Sequence, residues 1–397
     1  MKTLLLTCSL LFSSALLVSC SSTQTAPSNN AQACNAGIVK ITTDFSTGRM
    51  DECTLVTKNE YLITLIPENT PINSSPWYAF KVQAEQARDI TITMQVRGDK
   101  HRYPPKVSRD GKYWQLQPYQ LEEGSLTMEI SATAEPLWIA AQEVVNNKDY
   151  IEWGNDLAGE KHISHDILGW SEQERPLFKV ESKAESNEWL VVLGRQHPPE
   201  VTGALALFPF AETLLGNSEL AQEFRQRFNI LVVPNLNPDG VYMGNWRHNA
   251  NGVDLNRDWK SFVQAEVKAV NDYLIKLTDK QQKLMMAVDF HSTHKDIFYT
   301  MPSDYGVENP MLVEQWLTTL DKQYPDFDVI QKPGNNPGKG VFKQYFSDVF
   351  NVHAITYEMG DNTDRVFINQ LAESAANSLM KALLATPELA TSEQNSQ

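Results

Sequence analysis

Residues 189–200 read Trp-Leu-Val-Val-Leu-Gly-Arg-Gln-His-Pro-Pro-Glu. The first five are apolar without alternation, the pattern of a strand buried on both faces of a sheet. The apolar run stops at Gly194, and His197 and Glu200 then follow three residues apart. Residues Phe228–Val233, Leu284–Phe290 and His353–Thr356 have the same apolar character. Helical patterns lie between and after these runs, over 199–226, 259–278, 310–322 and 365–385. Buried strands alternating with helices predict an α/β domain whose sheet is covered on both faces. Ligands of such sheets bind beyond the carboxyl ends of the strands. His197, Asn235 and His291 are each expected just past such an end.

Upstream the pattern changes. Glu60–Ile66 and Trp77–Val82 are rich in strand formers, and Asp89–Val96 and Ser125–Ile130 alternate with period two. Turn clusters at 69–76 and 108–111 separate them. Short strands at this spacing predict a small antiparallel β-sandwich ahead of the α/β domain. The 397 residues suffice for two domains, and the formal charge of −15 argues against nucleic acid as a partner.

The N-terminus reads as a targeting segment, with Lys2 followed by a mostly apolar run from Leu4 to Val18. Leu17-Val18-Ser19-Cys20 resembles the bacterial lipobox, which implies cleavage before Cys20 and a lipid on its thiol. Ser21 resembles the sorting signal for the outer membrane, so the protein is expected to be lipid-anchored to the cell envelope and to face the periplasm. Of four cysteines, Cys8 leaves with the signal and Cys20 carries lipid. Cys34 and Cys53 remain as an even pair in an oxidising compartment, which predicts a disulfide. The expected organisation is a signal over 1–19, a flexible tether over 20–33, the sandwich over 34–142, the α/β domain over 143–386 and a disordered tail over 387–397.

The chemistry gathers in the α/β part. His197 and Glu200 can converge on one metal at their spacing, and zinc suits imidazole and carboxylate. A lone HxxE among eight histidines carries little weight. A third ligand decides the matter. His291 follows the strand ending Val288-Asp289-Phe290 and is preferred over its rival His294. His162 and His165 form an HxxH in what reads as a polar loop with no third partner. Arg247 and Arg257 suit carboxylate recognition and oxyanion stabilisation, although exposed ion pairing is the commoner fate of an arginine. Glu358 follows the strand 353–356 and can face the metal as a proton acceptor. Tyr357 alternates to the other face and reads as packing.

In order, HxxE, Asn237-Pro-Asp-Gly240, Trp246-Arg247, Asn256-Arg257, strand-His-Ser and strand-Glu resemble the zinc metallocarboxypeptidases. Leu236-Asn-Pro-Asp-Gly-Val241 and Gly252-x-Asp-Leu-Asn-Arg257 look like the cytosolic carboxypeptidase branch. So do Asp44-Phe-Ser-Thr-Gly48 and Trp77-Tyr-Ala-Phe80, which resemble the β-sandwich preceding the catalytic domain there. The resemblance covers about residues 40–385. It implies a mixed-sheet catalytic domain holding one zinc ion on His197, Glu200 and His291. Glu358 would be general base and then acid, and Arg247 would stabilise the oxyanion. Asn256 and Arg257 would grip the C-terminal carboxylate of a peptide substrate.

Some features depart from that pattern. Pro199 stands where some members carry an arginine, and the mobile tyrosine of digestive members has only Tyr345 as a candidate. The cytosolic branch has no signal segment, so tubulin-type substrates do not transfer. Within the expected substrate pocket, Lys339 and Lys343 precede Glu358, and Lys343 can favour an acidic terminal side chain. The alternatives to a carboxypeptidase are a zinc amidase or deacylase acting on peptidoglycan peptides or acyl-amino acids, and a non-catalytic peptide-binding lipoprotein.

Overall fold

A computed structural model describes residues 33–36 and 38–388. The signal segment, Cys20, all of the tether but Ala33, and residues 389–397 of the tail lie outside the described residues. The first part of the chain folds into two sheets. The strands are β1 (Ala33–Ala36), β2 (Val39–Thr42), β3 (Glu52–Thr57), β4 (Glu60–Leu65), β5 (Ala79–Ala84), β6 (Arg88–Val96), β7 (Lys106–Ser108), β8 (Gln115–Leu116), β9 (Gln120–Glu122), β10 (Ser125–Ala132) and β11 (Leu137–Ala140). One sheet has the order β1-β2-β5-β11-β7-β8 and the other β3-β4-β6-β10-β9. Their pairings are antiparallel except β4 with β6. Every second residue of β6, from Ile90 to Val96, is buried, as its alternation predicted. Both sheets contribute to one apolar core, with Ile41, Phe80 and Ile139 from the first and Ile63, Ile92 and Ile130 from the second. The expected Cys34–Cys53 disulfide is present and joins the two sheets.

The α/β part opens with α1 (Asn147–Leu157). Its sheet contains β12 (Ile163–Trp170), β13 (Pro176–Ser182), β14 (Glu188–Gly194), β15 (Phe228–Val233), β16 (Lys283–Thr293), β17 (Ile297–Thr300), β18 (Gln331–Pro333) and β19 (His353–Gly360). The spatial order is β12-β13-β15-β14-β16-β19-β17-β18. The inner strands β15, β14, β16 and β19 run parallel, while β12, β13 and β17 pair antiparallel, so the sheet is mixed as expected. The helices are α2 (Val201–Leu215), α3 (Glu219–Arg227), α4 (Pro238–Met243), α5 (Ala265–Asp279), α6 (Leu312–Asp321), α7 (Phe342–Phe350) and α8 (Arg365–Leu384). Strand β14 shows why its run lacks polar alternation. Leu190 and Val192 pack into the core under α2, α3, α6 and α8, and Trp189, Val191 and Leu193 into the core under α5 and α7.

The helical stretch expected over 199–226 is two helices. Gly216 ends the first, and the Ser218 side chain caps the second by accepting from Ala221 N. The stretch expected from 259 becomes helical only at 265. Asp258 accepts hydrogen bonds from the Val263 and Gln264 amides and holds that entry as a turn. Strand β16 continues past Phe290 because β19 pairs with it out to Gly360. His291 is therefore inside a strand rather than just beyond one.

Candidate active site

The turn that carries His197 and Glu200 begins where β14 ends. Arg195 takes a left-handed backbone, φ 54°, and its buried side chain donates to Pro198 O at 2.8 Å and Tyr150 Oη at 2.8 Å. The turn places His197 and Glu200 at the N-terminus of α2. Glu200 occupies the cap position without capping the helix, because its carboxylate faces His197 Nδ1 at 2.8 Å and His291 Nδ1 at 2.7 Å. A carboxylate there is favoured by the helix dipole. All three residues are buried, and one donor atom from each lies within 4.8 Å of the others. This is the only such group of three or more among the described residues.

The far side of each ring is also held. Asp254 Oδ1 sits 2.9 Å from His197 Nε2, and Asp289 Oδ2 sits 2.7 Å from His291 Nε2. Asp289 can do this because it lies two residues before His291 on one face of β16. Carboxylates there hold an N–H at Nε2 of each ring, and with a metal bound each Nδ1 would be free to ligate it beside Glu200. Gln196 Nε2 in turn donates to Asp289 at 2.6 Å. The donor set is two imidazoles and a carboxylate with carboxylates behind the rings, the chemistry of a three-ligand zinc site.

Electrostatics agree with a cation site. Burial opposes the charge on Glu200, yet the facing His197 and His291 rings outweigh it and hold the carboxyl well below its usual range. Burial likewise opposes Asp254, and His197 followed by Arg247 and Arg257 hold it low. Glu358 is the contrast. It pairs in register with His291 across β16 and β19. Burial, followed by the like charge of Glu200, pushes its carboxyl up to about 7, and its Oε2 is buried without a hydrogen-bond partner. A carboxyl poised near neutrality with an unpartnered oxygen suits proton transfer.

A family model described as zinc carboxypeptidase matches residues 151–378. The chain belongs to the zinc carboxypeptidase family. That family uses zinc, and the His197, Glu200 and His291 set fits it. Among curated relatives, cytosolic carboxypeptidase 2 of Xenopus tropicalis is 36% identical over 211 residues, which is 49% of this chain and 22% of that protein. An uncharacterised protein of Zymomonas mobilis is 26% identical over 193 residues, or 46% of this chain and 50% of the other. The match to this chain thus spans half or less of each relative. Among solved structures, a metallo-carboxypeptidase of Burkholderia cenocepacia superposes with TM-score 0.73 at 19% identity, covering 88% of this chain and 98% of that one. A Pseudomonas aeruginosa metallo-carboxypeptidase in complex with (2-guanidinoethylmercapto)succinic acid gives 0.72 at 19% identity, covering 86% and 98%. At such identity the likeness is one of fold.

In this carboxypeptidase-family chain the metal set opens into a cavity of about 470 Å³. Arg247, Asn256, Arg257, Lys343 and Glu358 all line it, whereas Lys339, which the sequence placed in the same pocket, is not among its lining residues. Arg247 is buried and donates to Asp254 Oδ2 at 2.8 Å. Asn256 sits in a single 3₁₀ turn, Leu255–Arg257, and accepts from Phe342 N. The Arg257 side chain is half exposed and comes no nearer than 4.0 Å to Asp254; its Nη1 donates to Asn256 O at 2.6 Å, and among the described residues no side chain is hydrogen-bonded to its guanidinium. Lys343 is buried and donates to Thr300 O at 2.9 Å and to Gly334 O.

Other candidates fall outside. His294 is exposed and lies 3.7 Å from Asp361. His165 is on strand β12 rather than in a polar loop, and it packs on Phe178, while His162 meets Leu215 O. Tyr345 donates to Asn271 at 2.5 Å and lines a separate cavity of about 370 Å³. Tyr357 stacks between Phe290 and Phe298, the packing role expected of it. The sequence reading passed over Asp254 and Asp289 as ring-holding groups. Their signal was present, as carboxylates close before Arg257 and His291. It also passed over Asn73 and Arg102, which reach the cavity from the sandwich with no local motif around them.

Proposed function

We propose that this protein is a zinc-dependent metallocarboxypeptidase that hydrolyses the last peptide bond of peptides and favours an acidic terminal residue. The observation that carries this reading is the placement of Glu358. It lines one cavity together with the buried His197, Glu200 and His291 set and with Arg247 and Arg257, and one of its carboxyl oxygens is buried without a hydrogen-bond partner. Zinc held by those three residues would supply Lewis acidity, acidifying water and polarising a carbonyl oxygen. Arg257 and Asn256 bind the terminal carboxylate of the peptide, Arg257 through its exposed fork of N–H donors. Glu358 takes a proton from water as the new C–O bond forms. Arg247 donates to the carbonyl oxygen as negative charge develops there. The C–N bond then breaks, and Glu358 passes its proton to the departing amine.

The acidic preference rests on Lys343, whose ammonium meets two carbonyl oxygens and no carboxylate on the cavity wall that also carries Lys332. The amidase or deacylase reading would use the same ligands and gains no separate support from this cavity. We further propose that the chain is exported and anchored through a lipid on Cys20. The Cys34–Cys53 disulfide supports an oxidising compartment. A Cys20→Ser variant should leave the membrane fraction; if it stays there, the anchor is elsewhere.

The test is hydrolysis of peptides ending in Glu, Leu or Lys, with and without a chelator. Glu358→Gln should lose about 10²–10⁴ in kcat while zinc stays bound. Full activity of that variant would refute the mechanism.

A further inference from the structure

Arg247 lies in a segment without regular structure, between α4 and the 3₁₀ turn at 255. Such a segment does not aim a buried guanidinium by itself. Asp254 holds its Nε at 2.8 Å and Asn245 Nδ2 donates to His248 O at 3.0 Å, and further contacts to the backbone of the segment come from the sandwich. Glu68, three residues past the end of β4, accepts hydrogen bonds from three successive backbone amides: Trp246 N at 2.8 Å, Arg247 N at 2.9 Å and His248 N at 2.9 Å. The neighbouring Asn69 donates to Gly252 O at 2.8 Å and meets His248 Nδ1. Thr47 N donates to Tyr242 O at 2.9 Å, and Arg49 reaches Gly244 O and Asn245 Oδ1. The Trp246 ring is itself part of the sandwich core.

We infer that the sandwich completes the active site, with Glu68 as the positioning residue that sets Arg247. An anionic carboxylate with three consecutive N–H donors is a strong, geometrically demanding arrangement. It fixes the backbone on both sides of Arg247, so its side chain leaves toward Asp254 and the cavity. Displacing it by the length of a lost hydrogen bond would move the guanidinium off the developing oxyanion. The same domain contributes a second tie at the opposite wall. Arg102 pairs with both Asp361 oxygens at 2.9 Å and donates to Ser292 O at 3.0 Å, beside the strand ends that carry Glu358 and His291. The role assigned to Arg247 rests on the proposed function; its positioning by Glu68 does not.

The experiment uses full-length protein and Glu68→Gln. The amide keeps the shape but loses the charge, and its NH2 group opposes at least one backbone donor. Because misplacement by about 1 Å costs on the order of 10²-fold in rate, kcat should fall by up to that factor with KM and bound zinc held. The deciding readout is coupling. In an Arg247→Ala background, Glu68→Gln should add almost nothing, since the group it positions is gone. Independent losses in the double variant would overturn the inference. Hydrogen exchange read by mass spectrometry on the 244–252 segment should quicken in Glu68→Gln, and unchanged exchange would also overturn it. That measurement does not depend on activity. Wild-type protein that cleaves no peptide would sink the proposed function, while the exchange result would still decide the positioning.

Discussion

Gly203→Ala tests whether the metal set depends on one close approach of backbones. Gly203 lies in the first turn of α2, and Ser292 Oγ accepts from its amide at 2.8 Å. A Cβ at this position would stand 2.5 Å from His291 O, 2.7 Å from its carbonyl carbon and 3.0 Å from its Cα. Real Cβ contacts essentially never fall below 3.0 Å, so helix and strand must part by at least about 0.5 Å. The atoms struck are main chain and cannot rotate aside. Glu200 rides on the helix and His291 on the strand, so the shift separates two ligands of one ion. Metal–ligand distances tolerate only about ±0.2 Å. Zinc affinity should therefore fall by at least the roughly 10–100-fold seen when ligand orientation is disturbed. Overpacking should also cost about 1–3 kcal/mol of folding stability. Competition with a chromophoric chelator reads the first quantity and urea denaturation of metal-free protein the second. The added stability from saturating zinc should shrink along with the affinity. Unchanged zinc affinity in a folded Gly203→Ala protein would refute the reasoning, since helix and strand would then accommodate a methyl without moving the ligands.

Two further predictions concern buried charge. Burial pushes the Lys343 ammonium down to about 8. It is charged below that pH and neutral above it, so KM for a peptide ending in Glu should rise as pH climbs from 7 to 9. KM for one ending in Leu should hold, and Lys343→Met should abolish the difference; equal pH profiles for the two peptides would count against the acidic preference. Glu266 is buried, with Oε1 lacking a hydrogen-bond partner, and burial pushes its carboxyl from 4.5 to about 7. The folded state thus favours the neutral acid, a contribution fully present below the unfolded value and lost as pH rises through 7. The shift corresponds to an upper bound of about 3 kcal/mol. Glu266→Gln should match wild type near pH 4 and exceed it at pH 8 in urea denaturation, and an unaltered pH slope would show that the carboxyl is solvated after all.

The parts of the fold legible in the sequence were those buried on both sides. Strands β14, β15, β16 and β19 are mostly apolar because helices cover both faces, and each appeared as a largely apolar run without alternation. The outer strands were not legible for the converse reason. Strand β12 is half exposed and carries polar residues, and β18 is three residues long with a proline. Such edges are defined by the partner they pair with, not by their own composition. Helix α7 was passed over although it carries Lys343 and Tyr345. Without it the lysine could be placed near the site, while the tyrosine could not be separated from it.

The site divides along a similar line. His197 with Glu200 was visible as a local spacing, and His291 and Glu358 as the polar ends of apolar runs. That they meet follows from the sheet, in which His291 and Glu358 occupy paired positions on neighbouring parallel strands. The supports were invisible because each is a lone polar residue far from what it holds. Glu68 lies 178 to 180 positions from the amides it binds, and Arg102 lies 259 from Asp361. A glutamate after a strand is ordinarily a solvated turn residue, and only the fold shows that this one faces three N–H groups. The sandwich itself is tied in the same way. Were it a separate attachment, its loops would end in solvent. Instead Glu68, Asn69 and Arg102 end on the segments that carry Arg247, His291 and Glu358. Removing the sandwich would therefore uncover Val201 and Ala204 at the start of the helix that follows Glu200, and would release its ties to the segments carrying Arg247, His291 and Glu358 together.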